Sequence, residues 1–415
     1  MKRYLTAEDV RYGIANTPQI TFEVTDLCNL KCKYCGYGEF YDNYDQRNEV
    51  LLDPERARRL IDYVSRMWDS SLNVSHQKNL YISFYGGEPL LNMNFIKEIV
   101  SYMKGMKCAS RTFTFSLTTN AILLHQYIDF FREHDFKLLI SLDGNRENSA
   151  YRVDKNGKPS FDRVIENIDL VREKYPEYFK RSVNFNAVLH NRNSVESIHD
   201  FFKKRYEKMP RIGELSDSGI RTDKKEDFEK AYRNAEESLH QSEHYDGIMK
   251  DMRLQLGSYQ TVMTYVLRYN DFVYKDYNEL LFGKRENAVV VPTGTCMPFS
   301  KKIYMTVNGK LLPCERVGHK YALGKVTDRG VELDFRDIAE RYNSYYAKIE
   351  KQCATCYRKK SCIQCVFQLP DPSKQSVCQG HLNAVQFENY KNAQIKFLAD
   401  NPGEYYRIME DIVVV

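Results

Sequence analysis

Cys28-Asn29-Leu30-Lys31-Cys32-Lys33-Tyr34-Cys35 is the stretch from which the rest of this chain is read. Its C-x3-C-x2-C spacing suits three corners of a [4Fe–4S] cube and leaves the fourth iron without a protein ligand. An iron with an open position can bind and reduce a small molecule, whereas a fully ligated cluster only passes electrons. The triplet therefore predicts an enzyme. Zinc is the competing reading, but zinc usually takes paired C-x2-C elements and four ligands. No fourth cysteine or histidine lies close by in the sequence.

Working outward, a β-rich alternating segment at 19–24 leads directly into the triplet. Further strands are expected at 80–84, 112–118, 136–142 and 182–189, with a weaker one at 211–216. Helical patterns separate them. The clearest begins at Asp53, a good N-cap, with Pro54 at the first helical position. Ala57, Leu60, Ile61 and Val64 then make one apolar face. Segments 161–175 and 194–202 look similar. Alternating strands and helices predict an α/β fold with a parallel sheet, here an incomplete (β/α)6 TIM-like barrel. Such barrels place their chemistry at the C-terminal strand ends. The triplet, Gly86-Gly87-Glu88-Pro89, Asn120 and Asp143 all follow expected strand ends. The two glycines let backbone approach a ligand, and the Glu88 carboxylate can accept from an ammonium group.

Composition limits the alternatives. The net charge of +5 is small for 415 residues and does not argue for a nucleic-acid partner. No apolar stretch approaches the ~20 residues of a membrane span. The opening Met1-Lys2-Arg3-Tyr4-Leu5 lacks a signal-peptide core, so a cytoplasmic protein is expected. The 11 cysteines are an odd number, which argues against a disulfide framework. All but Cys108 fall in two groups, which reads as metal ligation, and Cys108 reads as a plain structural thiol.

The second group is Cys296-x17-Cys314, then Cys353-x2-Cys356-x5-Cys362-x2-Cys365, then Cys378. A zinc ribbon could use the middle four, but seven cysteines suit closed four-coordinate zinc sites poorly. Between the groups, 223–256 reads as a charged helical connector. Segment 259–282 is tyrosine-rich at near-helical spacing, and Tyr265, Tyr269, Phe272 and Tyr277 read as core packing, with a peptide-binding wall as the alternative. The tail after His381 looks helical. The expected organisation is a barrel over 1–220, a helical connector over 221–290, a cysteine-rich domain over 291–390 and a helical tail over 391–415.

In the triplet, Gly86-Gly87-Glu88-Pro89, Thr119-Asn120-Ala121 and Ser141-Leu142-Asp143-Gly144, the chain resembles the radical S-adenosylmethionine (SAM) enzymes. The resemblance implies a cluster on Cys28, Cys32 and Cys35 whose unique iron chelates SAM. It implies that SAM is cleaved to a 5′-deoxyadenosyl radical that removes a hydrogen from the substrate. By the same resemblance Tyr34 lies beside the adenine, Gly86, Gly87, Glu88 and Pro89 form the SAM amino-group segment, and Ser141 contacts SAM. Arg152 would meet the SAM carboxylate, and Asn120 and Asn186 the ribose. Ala121 departs from the family's glycine at that place.

The second group resembles the SPASM domain of radical SAM peptide-modifying enzymes, with Gly309 five residues before Cys314. The last gap of its middle element is two residues where the family has three. The resemblance implies one auxiliary [4Fe–4S] cluster on Cys296, Cys314 and Cys365 and a second on Cys353, Cys356, Cys362 and Cys378. The first is one ligand short, which leaves a place for a non-cysteine residue, water or a substrate thiolate. Glu315 stands where related sulfatase-maturing enzymes carry an aspartate base. The chain is most similar to SPASM maturases of ribosomally made peptides with double-glycine leaders. That implies a precursor peptide as substrate, a thioether or carbon-linked crosslink as product, and a flavodoxin- or ferredoxin-type electron donor. Only 27 residues precede Cys28, too few for a separate leader-binding domain, so the leader is expected to bind elsewhere on the chain or on a partner protein. The alternatives are a formylglycine-forming sulfatase maturase and a zinc-stabilised, non-catalytic peptide-binding protein.

Overall fold

The computed structural model describes residues 5–74, 78–252, 257–269, 281, 291–369 and 378–411. The chain divides into two compact units. One comprises Arg11–Met252 and Pro298–Asp334, the other Met1–Val10, Arg253–Met297 and Phe335–Val415.

The first unit is built on six parallel strands, β1 (Gln19–Thr25), β2 (Asn79–Gly86), β3 (Thr112–Thr119), β4 (Lys137–Ser141), β5 (Val183–Leu189) and β6 (Arg211–Glu214), paired in sequence order. β1 is buried on both faces, as a helix-covered parallel strand must be. The helix Pro54–Trp68 follows β1 and starts where the sequence indicates, with the Asp53 carboxylate accepting from Glu55 N. It buries Ala57, Leu60, Ile61, Val64 and Trp68. The helix Val195–Tyr206 begins at a capping box in which Ser194 and Ser197 satisfy each other's backbone N–H.

Four short strands extend this sheet beyond what the sequence suggested. β7 (Ile303–Met305) pairs parallel to β1, and β8 (Lys310–Leu312), β9 (Gly324–Thr327) and β10 (Gly330–Glu332) continue antiparallel from it. The ladder to β1 is why Pro298–Asp334 groups with the barrel strands and not with the rest of the expected 291–390 domain. The expected connector also divides. Its first part forms the short helices Lys225–Ala231, Ala235–His240 and Tyr245–Met252 in the first unit.

The second unit contains the helices Gly257–Tyr269, Phe335–Thr355, Ala384–Asp400 and Pro402–Asp411. Tyr265 and Tyr269 do act in packing: their rings meet Tyr390 and Phe387 at centroid distances of 6.1 and 5.8 Å. Phe272 and Tyr277 lie outside the described residues.

Candidate radical SAM site and cysteine-lined cavity

The triplet loop leaves β1 at Thr25 and is held from below by the end of β2. Gly87 N donates to Thr25 O and Glu88 N to Leu27 O, both at 2.8 Å. Gly86 adopts φ 135°, and a Cβ at Gly87 would collide with the Leu27 carbonyl. The glycines are therefore needed for contact with the cysteine loop itself. Glu88 is buried, and its two oxygens accept from Leu90 N (3.1 Å), Thr119 Oγ1 (2.7 Å) and Asn120 N (2.8 Å). It thus ties β2 to β3, while burial pushes its pKa up to about 7. Pro89 opens the buried turn that follows.

Asn120 reaches from β3 to the triplet. Its Nδ2 donates to Asn29 Oδ1 at 2.7 Å and lies 3.9 Å from Cys28 Sγ. Ala121, in the family's glycine place, keeps the left-handed backbone at φ 64°. Asn167 Nδ2 secures that turn by donating to Ala121 O at 2.8 Å. Ser141 and Asn186 occupy paired positions of β4 and β5 and are half-buried.

Arg152 is buried and already engaged. Its Nε and Nη2 donate to the two oxygens of Asp143 at 3.0 and 2.8 Å. Tyr34 is buried too, with its hydroxyl donating to Asp143 Oδ2 and its ring stacked on His190 at 5.5 Å. Asp143 also accepts from Val188 N at 2.9 Å, across from β4 to β5. Burial alone would raise the Asp143 pKa, but Arg152 first, then His190 and Tyr34, hold it at about 2. The sequence places Asp143 at a strand end of the shared site but, by resemblance, gives the SAM contact of Ser141-Leu142-Asp143-Gly144 to the serine; that the aspartate is the hub shows only in the fold. An acidic residue beside a glycine at a strand end was the signal available.

Cys28, Cys32 and Cys35 are half-buried and close enough to act on one another's charge. Burial pushes Cys28 up to about 11 and Cys32 up to about 12, so a metal must displace their protons. Three soft thiol donors on one loop, supported by β2 and β3, fit a [4Fe–4S] cluster with one open position. Among the described residues, no three His, Cys, Asp or Glu side chains are gathered closely enough for a single metal ion.

Glu315 lies just past β8, half-buried, and Lys302 Nζ donates to its Oε2 at 2.7 Å. Burial raises its pKa, but the Lys302 ammonium outweighs that and holds it below the usual carboxylate range. Beside it Tyr44 donates to Glu315 O at 3.4 Å, and the Tyr37 and Tyr304 hydroxyls meet at 2.9 Å. Cys314 precedes Glu315 in this same unit.

In the other unit, Cys353, Cys356, Cys362 and Cys378 line one cavity of about 140 Å³ together with Gln352 and His381. Gln352 Oε1 accepts from Cys378 N at 2.9 Å, which fixes the last cysteine against the helix Phe335–Thr355. Four thiols around one apolar cavity suit a fully ligated cluster. Cys296 and Cys365 lie near one another outside this set. Thr295 Oγ1 accepts from Val366 N at 2.8 Å, bridging the residues beside them. Cys108 is half-buried with Sγ 3.4 Å from Ser110 Oγ.

Residues 22–204 match the Radical SAM superfamily model, so the chain carries a radical SAM domain. A cysteine-type anaerobic sulfatase-maturating enzyme of Clostridium novyi is 30% identical over 43% of this chain and 46% of its own length. The radical SAM cyclopropyl synthase TigE of Paramaledivibacter caminithermalis is 24% identical over 51% of this chain and 43% of its own. The chain thus spans less than half the length of these two relatives. The solved structure "Native anSMEcpe with bound AdoMet" shares the fold, with a TM-score of 0.58 over 95% of this chain and 100% of that one at 17% identity. No helix among the described residues is long and apolar enough to cross a membrane.

Proposed function

We propose that this protein is a radical SAM enzyme that removes a hydrogen from a ribosomally made precursor peptide and installs a side-chain crosslink, thioether or carbon-linked. The observation that carries the reading is the convergence of Cys28, Cys32 and Cys35 with the Gly86-Gly87-Glu88-Pro89 segment and Asn120 at adjoining strand ends. The cluster and SAM, when bound, supply one-electron cleavage to a hydrogen-abstracting radical. The chain's own residues fix the cysteine loop through Gly87, Glu88 and Asn120, and bury Arg152 and Tyr34 behind it. The Cys353, Cys356, Cys362 and Cys378 cavity would hold an auxiliary cluster that carries electrons, and Cys296 and Cys365, which lie near one another, would serve another. A small low-potential redox protein would supply electrons, and the peptide's leader would be held by this chain or by a separate partner.

Glu315 is the candidate proton acceptor for the substrate, and Lys302 keeps it ionised and engaged until substrate displaces the ammonium. Likeness to sulfatase-maturating enzymes favours a second reading, oxidation of a cysteine or serine side chain to formylglycine. Anaerobic co-expression with a candidate precursor, followed by high-resolution mass measurement, separates the two. Loss of hydrogen pairs with new fragmentation-resistant links, absent with Cys28→Ala, supports crosslinking. An aldehyde trapped by hydrazine in a sulfatase peptide, with the precursor unchanged, overturns it.

A further inference from the structure

Asp143 takes no part in the hydrogen abstraction, yet it is fully buried just past the end of β4, and its side-chain partners include two expected SAM-site residues, Arg152 and Tyr34. Its two oxygens take the Nε and Nη2 edge of Arg152, the Tyr34 hydroxyl and the Val188 backbone N–H. His190 Nε2 lies 3.8 Å away, and the Arg152 guanidinium rests over the Tyr34 ring at 5.5 Å. An isolated buried carboxylate is costly, and a bidentate guanidinium is the partner that best offsets the cost.

We propose that Asp143 is the positioning residue of the SAM subsite, clamping Arg152 and Tyr34 into a single rigid unit behind Cys32. The inference rests on the radical SAM reading above and deepens it. The clamp occupies one edge of the guanidinium and leaves Nη1 as the edge for an incoming carboxylate. It also draws the Tyr34 ring inward, so that residues 33–35 of the cysteine loop take their path from β4. A planar fork held along one edge cannot rotate away from its ligand, which is how an outer partner sharpens a binding group. One carboxylate thus holds both the residue for the SAM carboxylate and Tyr34, which lies between two of the cysteines.

The test uses the full chain, reconstituted anaerobically with iron and sulfide. Equilibrium dialysis with radiolabelled SAM gives its Kd, iron content reports the clusters, and electron paramagnetic resonance of the reduced protein is recorded with and without SAM. Asp143→Asn is expected to weaken SAM binding by about tenfold or more, as loss of an outer partner does. It should retain iron and blunt the spectral change on adding SAM. Tyr34→Phe removes only the hydroxyl and covers the case in which Asp143→Asn does not fold. It is expected to weaken SAM binding by a smaller factor with iron retained. SAM affinity in both variants equal to that of the unaltered chain overturns the clamp. So does a fall in affinity that only tracks lost iron, since Asp143 would then merely keep the loop folded. An unaltered chain that is iron-replete yet binds no SAM would instead bring down the radical SAM reading on which the proposal stands.

Discussion

The two cysteine sites are built on opposite plans. Cys28, Cys32 and Cys35 sit on one loop braced from three other strand ends, by Gly87 and Glu88 after β2, Asn120 after β3 and the Asp143–Arg152 pair after β4. Cys353, Cys356, Cys362 and Cys378 surround a cavity formed by a helix end and short turns, with Gln352 bonded to the Cys378 backbone. The first has three thiols and much polar scaffolding, as a site must if a ligand is to enter in one orientation. The second has four thiols and an apolar lining, as suits a cluster that never exchanges a ligand. Bracing follows the need to position a reactant, and a closed electron carrier can do with less.

Replacing one cysteine at each site breaks the comparison most sharply. Cys28→Ala is expected to abolish SAM cleavage. Cys362→Ala should lose one cluster's worth of iron and suppress peptide product, while SAM cleavage persists. Chromatography of 5′-deoxyadenosine alongside iron determination checks both. Next in size is Gly87→Ala, whose Cβ meets the Leu27 carbonyl. It should destabilise the first unit by about 3 kcal/mol, seen in denaturant unfolding, whereas Gly403, which has open space around it, should tolerate alanine.

A pH series sharpens the same contrast. Glu23 on β1 is buried, and burial raises its pKa from the usual 4.5 to about 7, with Val307 N and Arg47 lowering it only in part. The folded chain then holds a proton that the unfolded chain has lost, so stability falls as pH rises from about 4.5 to about 7 and levels off above. The contribution is up to about 3 kcal/mol at 1.36 kcal/mol per pKa unit. Glu88, raised to about 7 in the same way, contributes a like slope, so Glu23→Gln should roughly halve the slope in thermal unfolding followed across the window. The smallest effect expected is at Ala121, held at φ 64°. Ala121→Gly should stabilise the protein by about 1 kcal/mol, since only glycine adopts that conformation freely.

Much of the first unit was legible in the sequence because each barrel strand is a distinct β-rich run closed by a recognisable turn. β1 to β6 begin and end within three residues of where those runs place them. β7 to β10 were not legible. At three or four residues each, they are too short to show an alternation, and their place beside β1 is a long-range pairing. The side-chain partners of Arg152 and Glu315 were hidden for a related reason. Asp143 lies nine residues from Arg152 and Lys302 thirteen from Glu315, across turns that bring them together only in the fold. Motif reading gave Arg152 and Glu315 as groups free to meet a ligand. The structure shows each with a partner of opposite charge, which changes what each must do before it can act.

The most direct test of the account is release of 5′-deoxyadenosine from SAM by the reduced, iron-loaded chain, compared with Cys28→Ala under the same conditions. The unaltered chain is expected to release it and the variant to release none. Equal amounts from both, or none from an iron-replete unaltered chain, would contradict it.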